Sequence, residues 1–410
     1  MAKKDARNLL VGLDIGTSKC VAVIGEVMQD GQIEVVGAGS HPSRGMNRGD
    51  VVNIEATVQS IRRAVENAEH MASCRAQGVY VGISGTHIKS FNSTGVAPVR
   101  AKEVNEKDVE SVIDAARAMA IPADQKILHV IPQEFVVDGR EGIHEPVGMF
   151  GVRLEAKVHM VTGSVSAAQN IFKCVESCGL RVDKLILQHI ASSYAVLLPD
   201  ERDLGICMVD IGGGTSDIAV FKGGAIRHTA VLPIAGNQVT NDISVAFRTP
   251  TQYAEDIKVK FGCALPQLAQ ADEEIEVKSV GENPARRLSR LTLAEVIKPR
   301  FEELFRFVRK ELHRSDWYDV IAGGVVLTGG SAQMPGVQEL AEQVFEVPVR
   351  LGVPHNVRGL KDVMRDPGHA TAVGLLLYGR QQLPRGVATS RSGTAAHAVD
   401  RIRNWFQGNF

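Results

Sequence analysis

Three things are missing from this 410-residue chain, and each absence narrows what it can be. No stretch approaches the ~20 consecutive apolar residues of a membrane-spanning helix. Lys3, Lys4 and Arg7 precede an apolar run, but Leu9 to Leu13 is too short for the core of a secretory leader and ends in Asp14. The expectation is a protein made and kept in the cytoplasm. There is no excess of charge: 46 basic residues face 47 acidic ones, for a net −1, so no global field selects nucleic acid or a membrane. Paired cysteines are also absent. Cys20, Cys74, Cys174, Cys178, Cys207 and Cys263 are scattered among apolar residues, which suits reduced thiols. Cys174 and Cys178 lie four apart on a probable helix, but no second Cys or His pair completes a metal site. What is present is 44% apolar residues, enough for two or more packed domains.

Within that composition one stretch stands out. Ile206 to Phe221 reads ICMVDIGGGTSDIAVF, an apolar strand, three glycines with two hydroxyls between aspartates, and a second apolar strand. Gly212, Gly213 and Gly214 can adopt backbone angles closed to other residues, so their amides could turn inward and cradle a phosphate. Asp210 would repel that phosphate unless a cation lay between them, which points to magnesium bound with a nucleotide. The bland alternative is a glycine-rich turn between surface aspartates. Against it stands a second copy: Leu9 to Val23 reads LLVGLDIGTSKCVAV, with Asp14 in the place of Asp210. Half a chain apart, the two copies suggest two similar domains closing on one nucleotide.

DIGTSK at Asp14–Lys19, DIGGGTSD at Asp210–Asp217 and VVLTGG at Val325–Gly330 resemble the two phosphate motifs and the adenosine motif of the actin, heat-shock chaperone and sugar-kinase superfamily. The resemblance implies an α/β actin-like ATPase fold: two lobes with duplicated cores and a nucleotide in the cleft between them. An insertion at 84–161, the ASSYAV before the second motif and the C-terminal tail resemble one branch most, the bacterial FtsA family of cell-division proteins. The implied division is 1–83 with 162–199 as subdomain 1A and 84–161 as subdomain 1C, an SHS2-like insertion. Residues 200–232 with 306–380 form 2A, and 233–305 form 2B.

By the same resemblance, Gly16, Thr17, Ser18 and Lys19 contact the phosphates of ATP from one side, and Gly213, Gly214 and Thr215 from the other. Asp14 and Asp210 hold Mg²⁺, through water. Asp217 either joins them or only ties its hairpin. Gln188 sits where actin-like proteins place a water-orienting glutamine, although a solvated turn reads the same way. Gly236, Asn237, Gly329 and Gly330 fall in the adenosine motifs. Glu255 and Lys258, three apart on one helix face, are either a surface ion pair or the clasp on ribose and adenine.

Local patterns fill in the chain. Asn53 should open a helix with Ile54, Val58, Ile61, Val65 and Ala68 on one face. Asn105 should cap another inside the insertion, where strand-like runs at Ile88–Val99, Ile127–Val137 and Val152–Val161 flank it. Thr292 with Glu295 reads as a capping box for a long helix to about His313. Ile321 to Leu327 reads as one apolar strand, and Ala370 to Tyr378 as a helix. Arg286, Arg290 and Arg300 lie in a basic segment that is either a solvated face or, as the resemblance implies, a dock for the C-terminal tail of the tubulin-like protein FtsZ.

Residues 383–396 read as a flexible linker. Beyond it Val399, Ile402, Trp405, Phe406 and Phe410 recur at three and four with Arg403 beside them, which suits a helix (397–410) lying on an anionic membrane surface. The resemblance implies a peripheral protein on the cytoplasmic face of the inner membrane at the septum. Its partners would be FtsZ, further copies of itself and later division proteins reached through 1C, with no nucleic acid among them. A pilus-assembly protein or a small-molecule kinase of the same superfamily are the alternatives.

Overall fold

A computed structural model describes residues 8–270, 272–279 and 284–383. The expected linker from 384 and the helix at 397–410, with Val399, Ile402, Arg403, Trp405, Phe406 and Phe410, lie outside the described residues.

The N-terminal apolar run folds as expected for a phosphate hairpin. Leu9–Ile15 pairs antiparallel with Lys19–Val27, placing Asp14 opposite Val21, and Ile33–Pro42 extends the meander. Gly78–Ile83 then joins Leu9–Ile15 in parallel, and Arg181–Leu187 joins Gly78–Ile83 in parallel. The second half repeats the scheme. Ile206–Ile211 pairs antiparallel with Ser216–Lys222, Ala225–Leu232 follows, and Val325–Thr328 and Val349–Leu351 add on in parallel. In each sheet the strands therefore stand in the order third, second, first, fourth, fifth. Ile206–Ile211 is buried along its whole length, which is why it shows no polar alternation.

Helices close these sheets. Ile54–Ala72 starts at Asn53, whose side chain accepts from the Ala56 N–H, and its buried stripe includes Ile61, Ala64, Val65 and Ala68. Ala370–Gln382 is buried on almost every side and packs on Leu9–Ile15 and on the helix Gln188–Val196. The approach is backbone to backbone: a Cβ on Gly12 would lie 2.3 Å from the Ala372 carbonyl, and one on Gly374 1.8 Å from that of Ala191. Just before it, Val357–Gly359 adds a sixth strand to the first sheet, parallel to Ile33–Pro42. This corrects the expectation that 306–380 belongs wholly to the second lobe. Val357–Gly359 and Ala370–Gln382 go with the first sheet, while Asp366 and Pro367 between them also bond to Gln333 and Gly329 of the second lobe. A helix apolar all round has no face whose period could reveal its neighbour.

The insertion forms its own four-stranded sheet, in the order Lys89–Pro98, Arg153–Ser164, Gln125–Val137, Arg140–Ile143. Helix Glu106–Arg117 covers it, capped by reciprocal bonds between Asn105 and Asp108. Val109, Val112, Ile113, Leu154 and Met160 form a separate small core. Arg140–Ile143 was not expected from sequence. It arises at the turn Asp138–Gly139, both with positive φ, a pairing suited to a tight hairpin.

Beyond Leu232, helices Gly236–Phe247 and Thr251–Phe261, a ribbon of Glu274–Val277 with Arg286–Ser289, and the long helix Arg290–Arg314 build the remaining unit. Two local expectations change there and just beyond. Ser289 caps the long helix, accepting from the Thr292 N–H at 3.2 Å, so Thr292 is already inside its first turn. The strand expected at Ile321–Leu327 shrinks to Val325–Thr328, because Gly324 turns with φ +82°.

Candidate functional site

The two hairpin loops are built alike. Each closes with the same backbone bond, Gly16 N–H to the Lys19 carbonyl at 3.1 Å and Gly212 N–H to that of Thr215 at 3.0 Å. They face one another at close quarters. A Cβ on Gly213 would lie 1.9 Å from Ser18 Oγ, and one on Gly214 would lie 2.6 Å from Thr17 Oγ1. None of Gly212, Gly213 and Gly214 has a left-handed φ. Unusual torsions are therefore not what they supply: Gly213 and Gly214 give clearance between the lobes, and Gly212 faces only its own loop at the Thr215 carbonyl. Asn237 reinforces the approach, donating its N–H to the Gly213 carbonyl at 2.8 Å and accepting from Ser18 Oγ at 3.0 Å.

Between the loops lies a cleft of about 630 Å³, within the usual range for a small-molecule site. Asp14, Gly16, Thr17, Ser18, Lys19 and Gln188 line it from the first lobe. Asp210, Gly213, Gly214, Thr215, Gly236, Glu255, Lys258, Gly329 and Gly330 line it from the second. Asn237 stands behind this wall. Gly329 must be glycine, since its φ is +88° and a Cβ would lie 2.3 Å from Asp210 Oδ1; Gly330 faces open space.

The electrostatics of the floor are unusual. Burial, then the charge of Asp210, pushes the Asp14 carboxyl up to about 7. Burial also lifts Asp210 to about 6, against the opposing hydrogen bond from Ser192. Asp14 accepts from Gln188 Nε2 at 2.7 Å, and Asp210 accepts from Ser192 Oγ at 2.6 Å and Thr371 Oγ1 at 3.4 Å. Asp217, 3% exposed, accepts from Ser84 Oγ of the other lobe at 2.5 Å. Burial first, and then a neighbouring carboxylate, makes each of these two groups resist ionisation, and such a pair of oxygen donors fits a hard divalent cation.

At the far side, Glu255 Oε2 accepts from Lys258 Nζ at 2.7 Å and from the Thr240 hydroxyl, while Lys258 also reaches Thr240 Oγ1 at 2.8 Å. The pair is buried on one side only: Lys258 is 9% exposed, whereas the Glu255 side chain is 44% exposed. Lys19 lies 3.8 Å from Asp366. Although burial opposes ionisation there, His369, Lys19 and the Gly368 N–H together hold the Asp366 carboxyl down at about 2.

Sequence reasoning passed over Ser84, Ser192, Thr371, Gly49 and Asp366. Ser192 lies inside ASSYAV, one turn past Gln188, which was its available signal; the others come from remote segments. The three basic-segment arginines are all engaged internally. Arg286 donates to the Phe247 carbonyl, Arg290 to the Phe261 carbonyl and Glu273, and Arg300 to Asp242 in bidentate fashion and to Glu303. Among the described residues no helix is long and apolar enough to cross a membrane.

Comparison with known proteins places this architecture. The family described as "Cell division protein FtsA" matches residues 207–374, and "SHS2 domain inserted in FTSA" matches 85–162. The chain is 58% identical to Cell division protein FtsA of Pseudomonas aeruginosa and 47% identical to that of Escherichia coli (strain K12), with 100% of both partners covered in each case. Among solved structures, the PilM-PilN type IV pilus biogenesis complex superposes with a TM-score of 0.66 at 18% identity, over 93% of this chain and 99% of the other. MreB5 of Spiroplasma citri bound to ADP gives 0.54 at 15% identity, over 90% and 94%. These structural likenesses show the actin-like ATPase fold, and the full-length relatives show the rest: the chain belongs to the FtsA family of cell division proteins.

Proposed function

We propose that this chain binds ATP with Mg²⁺ in the cleft, assembles on the cytoplasmic face of the inner membrane at the septum, tethers FtsZ filaments there and helps recruit later division proteins. The observation that carries the nucleotide site is the pair of matched hairpins, one per lobe, with Asp14 and Asp210 at corresponding places. In the related fold, MreB5 of Spiroplasma citri was solved bound to ADP. Gly16, Thr17, Ser18 and Lys19 would take the phosphates from one side, and Gly213, Gly214 and Thr215 from the other. Asp14 and Asp210 would hold the cation, which when bound would offset phosphate charge. Glu255 and Lys258 would meet the ribose and adenine, and Gly329 and Gly330 would offer bare backbone to a flat adenosine.

Because the ligand would bridge two lobes, its affinity for the closed form becomes a bias on assembly. Any hydrolysis is slow, with Gln188 orienting water. We assign 1–83 and 162–199, with 357–382, to the first core, 84–161 to the inserted module, 200–232 and 306–356 to the second core, and 233–305 to the peptide-docking unit. Arg286, Arg290 and Arg300 would serve the FtsZ tail there. The segment 397–410 would anchor to anionic lipid, with many copies supplying avidity. The test is co-sedimentation with anionic vesicles, with ATP and an FtsZ-tail peptide, of the full chain and of a truncation after Arg385. The full chain should bring the peptide down. A truncated form that still sediments with vesicles would place the anchor elsewhere.

A further inference from the structure

We propose that the inserted module at 84–161 is a mechanical readout of the cleft, its base held by both phosphate hairpins and its sheet resting on the second lobe. The proposal rests on the cleft being the ATP site. Ser84 and Gly85 form the junction where the chain leaves the first sheet for the module. From the second lobe, Asp217 accepts from Ser84 Oγ at 2.5 Å. From the first, Thr17 Oγ1 accepts from the Gly49 N–H at 3.1 Å. Gly49 in turn packs on that junction so closely that a Cβ, at φ +85°, would lie 2.7 Å from the Gly85 Cα. His87 completes the base: its ring meets Asp50 at 3.4 Å and accepts from the N–H of Ser164, where the chain returns, at 3.3 Å.

The sheet of the module grips the second lobe farther along. Ser90 Oγ donates to the Thr229 carbonyl at 2.8 Å, Gln133 Nε2 to that of Ile226 at 2.9 Å, and His159 Nε2 meets Thr229 Oγ1 at 3.0 Å. These partners lie on Ala225–Leu232, the strand paired directly with the one that carries Asp217, in a register that sets Asp217 opposite Val231. One pair of adjacent strands of the second lobe therefore touches the module both at its base and on its sheet. A phosphate that changes the spacing of the hairpins must shift Ser84 against Asp217, and must shear the module on Ala225–Leu232 or carry it along. The coupling is reciprocal for binding: whatever occupies the module changes nucleotide affinity by the same factor.

Hydrogen exchange of the full chain, with and without ATP and Mg²⁺, tests this. In the wild type we expect protection at 16–19 and 212–215, together with a roughly tenfold change in exchange at 225–232 and 125–133, equivalent to about 1.4 kcal/mol. Ser84→Ala should keep the hairpin protection while the remote change falls below about threefold, and Ser84→Thr should restore it. Gln133→Leu, acting at the sheet contact, should uncouple in the same way and stands in if Ser84→Ala fails to fold. A remote change of wild-type size in Ser84→Ala or Gln133→Leu would overturn the proposal, as would protected hairpins with no remote change in the wild type. Hairpins left unprotected in the wild type would instead sink the ATP reading, and the coupling with it.

Discussion

Gln188 Nε2 donates to Asp14 Oδ1 at 2.7 Å, so the side chain proposed to orient water is joined to a carboxylate proposed to hold the cation. Gln188 is the first residue of its helix, directly after the strand Arg181–Leu187, which fixes it at the cleft. Gln188→Ala should leave ATP affinity within about threefold yet slow hydrolysis by about 10²-fold, the usual scale for losing a group that assists proton transfer. Single-turnover hydrolysis beside equilibrium binding separates the two effects.

The floor carboxylates should make the nucleotide-free protein sensitive to base. Asp14 and Asp210 titrate near 7 and 6 when folded, above the 3.8 of a free aspartate. The folded state therefore binds the extra protons. Their contribution to stability is complete below about pH 4 and is lost progressively from there as pH rises through the folded values of about 6 and 7, by at most about 1.4 kcal/mol per pH unit for each group. His129 and His159, lowered by burial to about 3, act in the opposite sense and cost stability as pH falls below their ordinary 6.5. Comparing Asp14→Asn with the wild type cancels the histidines. The variant's melting temperature should hold between pH 6 and 8 where the wild type's declines, and Mg²⁺ with ATP should rescue the wild type alone.

Neighbouring glycines should fail for different reasons. Gly213→Ala forces a Cβ to within 1.9 Å of Ser18 Oγ and should cost about 1–3 kcal/mol of stability along with nucleotide binding. Gly330→Ala meets nothing within 4 Å. It should melt like the wild type and weaken ATP by about tenfold if adenosine lies against it. Thermal melts paired with titrations distinguish them.

The arginines proposed for docking carry a testable competition. Arg300 already holds Asp242 at 2.7 and 2.9 Å, so an acidic peptide must displace that carboxylate. Asp242→Asn should tighten an FtsZ-tail peptide by about threefold, and Arg300→Ala should weaken it by about tenfold while lowering stability by about 1 kcal/mol. Arg287, 79% exposed in its side chain, is the control whose removal should leave stability unchanged.

What the sequence disclosed follows from where the information lies. Asp14, Asp210 and their loops were legible because each motif is contiguous and occurs twice. Asn53 and Asn105 were legible because capping is a local exchange of hydrogen bonds. Ser84 with Asp217, and Thr371 with Asp210, were not, since each pair joins segments more than a hundred residues apart. Gly213 and Gly214 were found for the wrong reason: torsional freedom is a local property, whereas their contact with Ser18 and Thr17 exists only once the lobes meet. The return of Val357–Gly359 to the first sheet was hidden because a three-residue edge strand carries no period.

The central claim is that one nucleotide is held between two matching loops. The most direct measurement is a crystal structure of the full chain grown with Mg²⁺ and a non-hydrolysable ATP analogue. The terminal phosphates should lie between 16–19 and 213–215, with the metal beside Asp14 and Asp210. An analogue bound anywhere outside that crevice, at full occupancy, would contradict the account.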